Sequence, residues 1–166
     1  MFKRIVVPLD GSRLSAQSLP HAVALARQFN SEVMLVRVLS RTNDSFLKPG
    51  GSGGRVVADI VGAQAHAREI ENSAHAKRYL MNWARGLRDQ GINVSCNVLE
   101  GMPVPSIMEF ARENNASLIV MMSHGRGRSK PAELGSVTDA IVRGGTIPVL
   151  VVHAKTVNQP QPNATE

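Results

Sequence analysis

Residues 5–12 read Ile5-Val6-Val7-Pro8-Leu9-Asp10-Gly11-Ser12, a short apolar run that stops at a turn. A strand covered on both faces shows such a continuous run, whereas one solvated face would impose alternation. Asp10, Gly11 and Ser12 are turn and helix-start residues, so the stretch reads as a buried strand followed by a turn and a helix start. Beyond it, residues 14–29 place Leu14, Leu19, Ala22, Val23, Ala26 and Phe29 on a helical stripe. Pro20 removes one helix hydrogen bond, which predicts a bend there or a helix that becomes firm only near Pro20.

The same alternation continues. Residues 33–39 form a second nearly continuous apolar run, and helical patterning resumes over about 63–89 with Gly91 as its stop. Strands are predicted at 94–99, 118–122 and Val149–Val152, with helices at 105–114 and 131–144 between them. Parallel neighbours cannot be joined by a tight hairpin, so strands alternating with helices imply right-handed crossovers. The expected fold is α/β: a doubly wound, Rossmann-like, five-stranded parallel sheet with helices on both faces, in one soluble domain over residues 1–154. In such sheets ligands bind at the carboxyl ends of the strands, where connections leave on opposite faces. The turns after the first and fourth strands are the candidates.

Composition agrees with one globular core. The 166 residues are 43% hydrophobic and 19% charged, and aromatics at 4% require a mostly aliphatic interior. No apolar run approaches the roughly 18 residues of a membrane span, and no apolar h-region follows the N-terminal basic residues, so a cytoplasmic location is expected. The lone Cys96 supports neither a disulfide nor a zinc site and reads as a small core or strand residue. Residues 41–62, with Asn43, Asp44, Pro49 and the run Gly50-Gly51-Ser52-Gly53-Gly54, are expected to be a flexible loop, either a surface insertion or a lid. Residues 155–166 read as a disordered tail.

A formal charge of +6 favours phosphate-bearing partners. Basic residues are spread from residue 3 to residue 155, and only Arg126, Arg128 and Lys130 form a tight group, without aromatic interleaving. Nucleic acid is therefore not an expected partner.

Chemistry concentrates after the fourth predicted strand, in Ser123-His124-Gly125-Arg126-Gly127-Arg128-Ser129-Lys130, followed by Leu134-Gly135-Ser136-Val137 inside the next predicted helix. Glycines let backbone N–H groups approach a phosphate, and a helix N-terminus adds a favourable dipole. A glycine within a helix costs about 1 kcal/mol relative to alanine, so Gly135 calls for a packing or a ligand reason. Both remain open from spacing alone, as does a plain surface turn for Gly125 and Gly127. The three basic residues either neutralise phosphate or make a solvated loop. No P-loop and no Gly-x-Gly-x-x-Gly follows a strand. The five histidines lack ligand spacing, so no metal site is expected. Ser123 and His124 are expected to diverge as neighbours at a strand end, leaving no nucleophile and base.

These residues resemble the universal stress protein family, whose nucleotide-binding members carry Gly, two residues, Gly, nine residues, then Gly-Ser or Gly-Thr. Here Gly125 is followed by nine residues and Gly135-Ser136. The opening 5–12 segment, Ser123-His124-Gly125-Arg126 and the closing Ile147-Pro148-Val149-Leu150-Val151-Val152 also look like that family, in the same order. The resemblance implies ATP as the cofactor, with or without Mg²⁺. It implies that Pro8 and Val38 contact the adenine and that Asp10 lies near ribose and adenine, where a carboxylate accepts hydrogen bonds from sugar hydroxyls. The residue-level alternative for Asp10 is a turn or capping aspartate. Gly125, Gly135, Ser136 and Val137 match the phosphate cradle, and Arg126 and Gly127 complete the candidate set. The family pattern's first glycine falls on Met122, whose side chain either crowds the ligand or points into the core. The resemblance further implies a homodimer through Val149–Val152, an uncharged edge if left unpaired. Three functions follow: an ATP-holding stress-response sensor or signalling module, a member without nucleotide acting through protein contacts, and a slow ATPase with Asp10 helping to hold Mg²⁺. Phosphoryl transfer needs a positioned nucleophile, and none can be named, so catalysis ranks last.

Overall fold

A computed structural model describes residues 1–40, 54–124 and 134–153, with residues 54–69 as helix backbone alone. Five strands, β1 (Arg4–Pro8), β2 (Glu32–Leu39), β3 (Asn93–Glu100), β4 (Leu118–Met122) and β5 (Val149–Val152), form one sheet in the order β3-β2-β1-β4-β5. Every pairing is parallel, with Ile5 opposite Val33 and Leu118, and Ile119 opposite Val149. Four helices connect them: α1 (Leu19–Phe29), α2 (Gly54–Arg88), α3 (Pro103–Glu113) and α4 (Ser136–Gly144).

Alternation along the buried strands divides the interior into two layers. Ile5, Val7, Val33, Leu35, Leu118 and Val120 face α1 and α2, meeting Ala22 and Val23 of the first and Leu80, Ala84 and Leu87 of the second. Val6, Met34, Val36, Ile119 and Met121 face Ile107 and Ala111 of α3 and Ile141 of α4. The chain thus leaves β1 towards one face and β4 towards the other. Because β1 and β4 are neighbours, a crevice opens between the turns that follow them.

The first helix takes the second of its two expected forms, firm only from near Pro20, whereas the starts of α2, α3 and α4 differ from the sequence reading. The first helix begins at Leu19 with Pro20 in its opening turn, where a missing N–H costs little, and a 3-10 turn, Ser15–Ser18, precedes it. There Ser15 Oγ donates to the Ser12 carbonyl at 3.0 Å and Ser18 Oγ to the Ser15 carbonyl at 2.7 Å, bonds that compete with a regular helix. The long helix α2 begins at Gly54, so residues 54–62 are helical rather than part of a 41–62 loop. Only Gly62 interrupts a run of ordinary helix residues there, and one interior glycine is tolerated. Residues 41–53 and the 155–166 tail lie outside the described residues. At α4, Gly135 stands before the helix with φ −62° and ψ 150°, as its N-cap, and the helix starts at Ser136 rather than near 131. Gly135 N–H donates to the Ser123 carbonyl at 2.7 Å, and its own carbonyl accepts the first helical bond, from Asp139 N–H at 2.8 Å. The helix-interior cost for Gly135 therefore does not arise. Cys96 lies half-buried on edge strand β3, where burial pushes its thiol up and Arg88 partly opposes that.

Candidate functional site

At the carboxyl ends of β1, β2 and β4 the crevice widens into a cavity of about 260 Å³. Pro8 and Val38 from the strand ends, Pro103 and Ile107 from α3, Met121 from β4 and Val137 from α4 give it apolar walls. Asp10, Ser15, His124, Ser136 and Thr138 add polar groups. Mostly apolar walls with a few converging polar groups describe a small-molecule site, and the volume is near the lower end of the usual range.

Asp10 sits in a tight turn. Its Oδ1 accepts the Ser12 N–H at 2.8 Å, its own N–H donates to Ser15 Oγ at 3.3 Å, and Gly11 adopts φ +86°, a left-handed conformation that favours glycine. Asp10 is therefore a turn aspartate and a cavity residue at once, because the bond that closes the turn also holds the carboxylate at the strand end.

Opposite Asp10, α4 points its N-terminus at the cavity. The N–H groups of Ser136, Val137 and Thr138 precede the first intrahelical bond and have no partner within the helix. Thr138 is 3% exposed and spends its hydroxyl on the Met122 carbonyl at 2.9 Å, fixing α4 against the end of β4. Replacing Thr138 with valine keeps the shape and leaves that carbonyl unsatisfied, so Thr138→Val is expected to cost about 1–2 kcal/mol in urea unfolding. Met122 itself is buried and borders the same cavity, beside Met121.

Six of the sequence-predicted residues, Pro8, Asp10, Val38, Gly135, Ser136 and Val137, border this one cavity. Gly125, Arg126 and Gly127 lie outside the described residues, as do Arg128 and Lys130. Sequence reasoning missed Pro103 and Ile107, although a signal was present. Gly101, at φ +129°, bonds its N–H to the Leu39 carbonyl at 2.9 Å, and Pro103 then opens α3 two residues before the Pro105 start that was predicted. The expected divergence of Ser123 and His124 does not hold, for Ser123 Oγ lies 2.8 Å from His124 Nδ1. Both residues follow the last residue of β4, so the alternation of the pleat no longer governs them. Ser123 is 1% exposed, its N–H bonds the Val152 carbonyl, and His124 rather than Ser123 borders the cavity. Among the described residues no three His, Cys, Asp or Glu side chains gather as a metal site, and no helix is long and apolar enough to cross a membrane.

The universal stress protein family model matches residues 1–153. The chain belongs to the universal stress protein family. Universal stress protein MJ0531 of Methanocaldococcus jannaschii is 30% identical over 152 residues, which cover 92% of this chain and 82% of that protein. The solved structure of MJ0577, a universal stress protein of the same organism, is similar with a TM-score of 0.76 at 27% identity, over 93% of this chain and 98% of that one. A universal stress protein solved in complex with cAMP shares the fold at 20% identity, with a TM-score of 0.61 over 92% of this chain and 97% of the other. The five-stranded parallel sheet and its helices are those of the family.

Proposed function

We propose that this universal stress protein binds ATP and acts as a nucleotide-dependent sensor or signalling module of the stress response. One observation carries the reading: Pro8, Asp10 and Val38, from the ends of β1 and β2, border the same cavity as Gly135, Ser136 and Val137 at the start of α4. The chemistry of that set fits a nucleotide. An adenine would lie between the apolar side chains, with Pro8 and Val38 at the strand ends. The Asp10 carboxylate would accept from ribose hydroxyls. Phosphates would meet the first N–H groups and the positive dipole end of α4, with the Ser136 hydroxyl as a further donor. Met122, in place of the family's first glycine, borders this cavity too, so a bound nucleotide would lie against it.

The test is to denature the purified protein, chromatograph any released nucleotide, and titrate the stripped protein calorimetrically with ATP, with cAMP in parallel. Micromolar ATP binding, about 8 kcal/mol, supports the proposal. No released nucleotide and no heat at millimolar ATP would move the function to protein contacts alone.

The proposed signalling unit is a homodimer through β5. That strand pairs with β4 along one edge, and Leu150 is 37% exposed with Val142 of α4 at 43% beside the same end of the sheet order. A bare, uncharged strand edge invites pairing, and a second copy satisfies it. Size-exclusion chromatography with light scattering is expected to give twice the 17.9 kDa chain mass. A monomer at every accessible concentration would remove the dimer.

A further inference from the structure

We propose that Tyr79 and Arg37 form a strut that sets the turn carrying Asp10, which makes them positioning residues for the cavity; the inference rests on the nucleotide reading above. The Tyr79 hydroxyl, from α2, donates to the Ser12 carbonyl at 3.4 Å. The N–H of that same Ser12 donates to Asp10 Oδ1 at 2.8 Å. One residue therefore links α2 at its carbonyl to the site carboxylate at its amide. Behind the ring stands Arg37 of β2, its guanidinium carbon 5.2 Å from the Tyr79 centroid, a cation–π contact that fixes the ring face.

Arg37 has a feature that ordinary stabilisation does not explain. Its Nη1 is buried and has no hydrogen-bond partner among the described residues. A buried charged donor left unpaired opposes folding, so what Arg37 contributes here is its seat on the ring rather than a polar pair. Neither residue borders the cavity. Tyr79 packs against the α1–α2 layer, and Arg37 follows Val33 and Leu35 on that side of β2; of the cavity's apolar lining Leu9 belongs to that layer, whereas Val38, Ile107, Met121 and Val137 belong to the other. The turn at residues 10–12 is the hydrogen-bonded route from Tyr79 to a cavity residue. A path from α2 to ligand affinity is then built into the fold.

The full chain with Tyr79→Phe, which keeps ring and stack but removes the donor, and with Arg37→Met, which removes the cation, tests the strut. Three quantities are measured: amide hydrogen exchange at Ser12 against Val6 and Val36, ATP affinity, and thermal unfolding. Both variants are expected to speed Ser12 exchange and weaken ATP binding about fivefold, the scale of one ordinary hydrogen bond, with Val6 and Val36 unchanged. Arg37→Met is expected to unfold no earlier than the parent, so that weaker binding cannot be ascribed to lost stability. Ser12 exchange at the parent rate in both variants overturns the strut. Faster exchange with unchanged affinity overturns the positioning role. If the parent protein binds no ATP, the nucleotide reading fails by itself, and Ser12 exchange alone decides whether the strut exists.

Discussion

Replacing Gly135 with leucine is expected to move ATP binding from micromolar to beyond millimolar, a loss of about 4 kcal/mol, while the protein remains folded. Gly135 borders the cavity and stands at the N-cap of α4, between the Ser123 carbonyl that its N–H bonds and the first N–H groups of the helix, which have no partner within it. Its φ of −62° and ψ of 150° are open to any residue, so no backbone strain follows from the change. Leucine is a poor N-cap, which costs about 1 kcal/mol. That loss is small beside the expected loss of binding. Serine at the same position caps well and is short, so Gly135→Ser separates the two effects: stability is retained or raised, and ATP binding suffers less than with leucine. Isothermal titration and urea unfolding of both variants decide the matter. Leucine at 135 with parental affinity would show that phosphates do not lie against the start of α4.

What the sequence disclosed depended on how local each signal was. Leu118–Met122 and Val149–Val152 are predicted to the residue because they are continuous apolar runs bounded by turn residues. Helix starts were less legible. Pro131 and Gly135 lie close together, and nothing local says that Gly135 N–H is held by the Ser123 carbonyl, a contact twelve residues back. At α3 the opposite error occurred: Pro103 was a valid helix opener, but Pro105 drew the boundary inward. The site divides in the same way. Pro8, Asp10, Val38 and the start of α4 stand at strand ends or beside glycines, where a sequence can be read. Ile107 borders the cavity from the middle of α3, and Thr138 reaches the Met122 carbonyl across 16 positions. Such residues look like any other helix residues until the layers are assembled. Ser123 and His124 show the limit of a periodicity rule, which fails one residue beyond the strand that supplies the period.

The strut from Tyr79 acts only if α2 is seated on the sheet, and Leu80 is the residue that tests the seating. Ala76, Leu80, Ala84 and Leu87 recur at helical spacing and are all buried, and Leu80 is 0% exposed within the layer that contains Val33, Leu35 and Val94. Two of these four positions are alanines, so most of the side-chain volume that α2 buries there comes from Leu80 and Leu87. Leu80→Ala removes the more deeply buried of the two and leaves a cavity that the stiff parallel sheet cannot fill by collapse. The expected cost is about 3 kcal/mol. With a urea slope of about 2 kcal/mol/M, the unfolding midpoint should fall by about 1.5 M. Met81, the next residue along, is 48% exposed, and Met81→Ala is expected to stay within about 0.5 kcal/mol of the parent. The contrast between adjacent positions is what carries information, since both remove a similar apolar side chain from one turn of one helix. Equal losses would mean that α2 does not present Leu80 to the sheet, and the path from Tyr79 to Ser12 and Asp10 would lose its foundation.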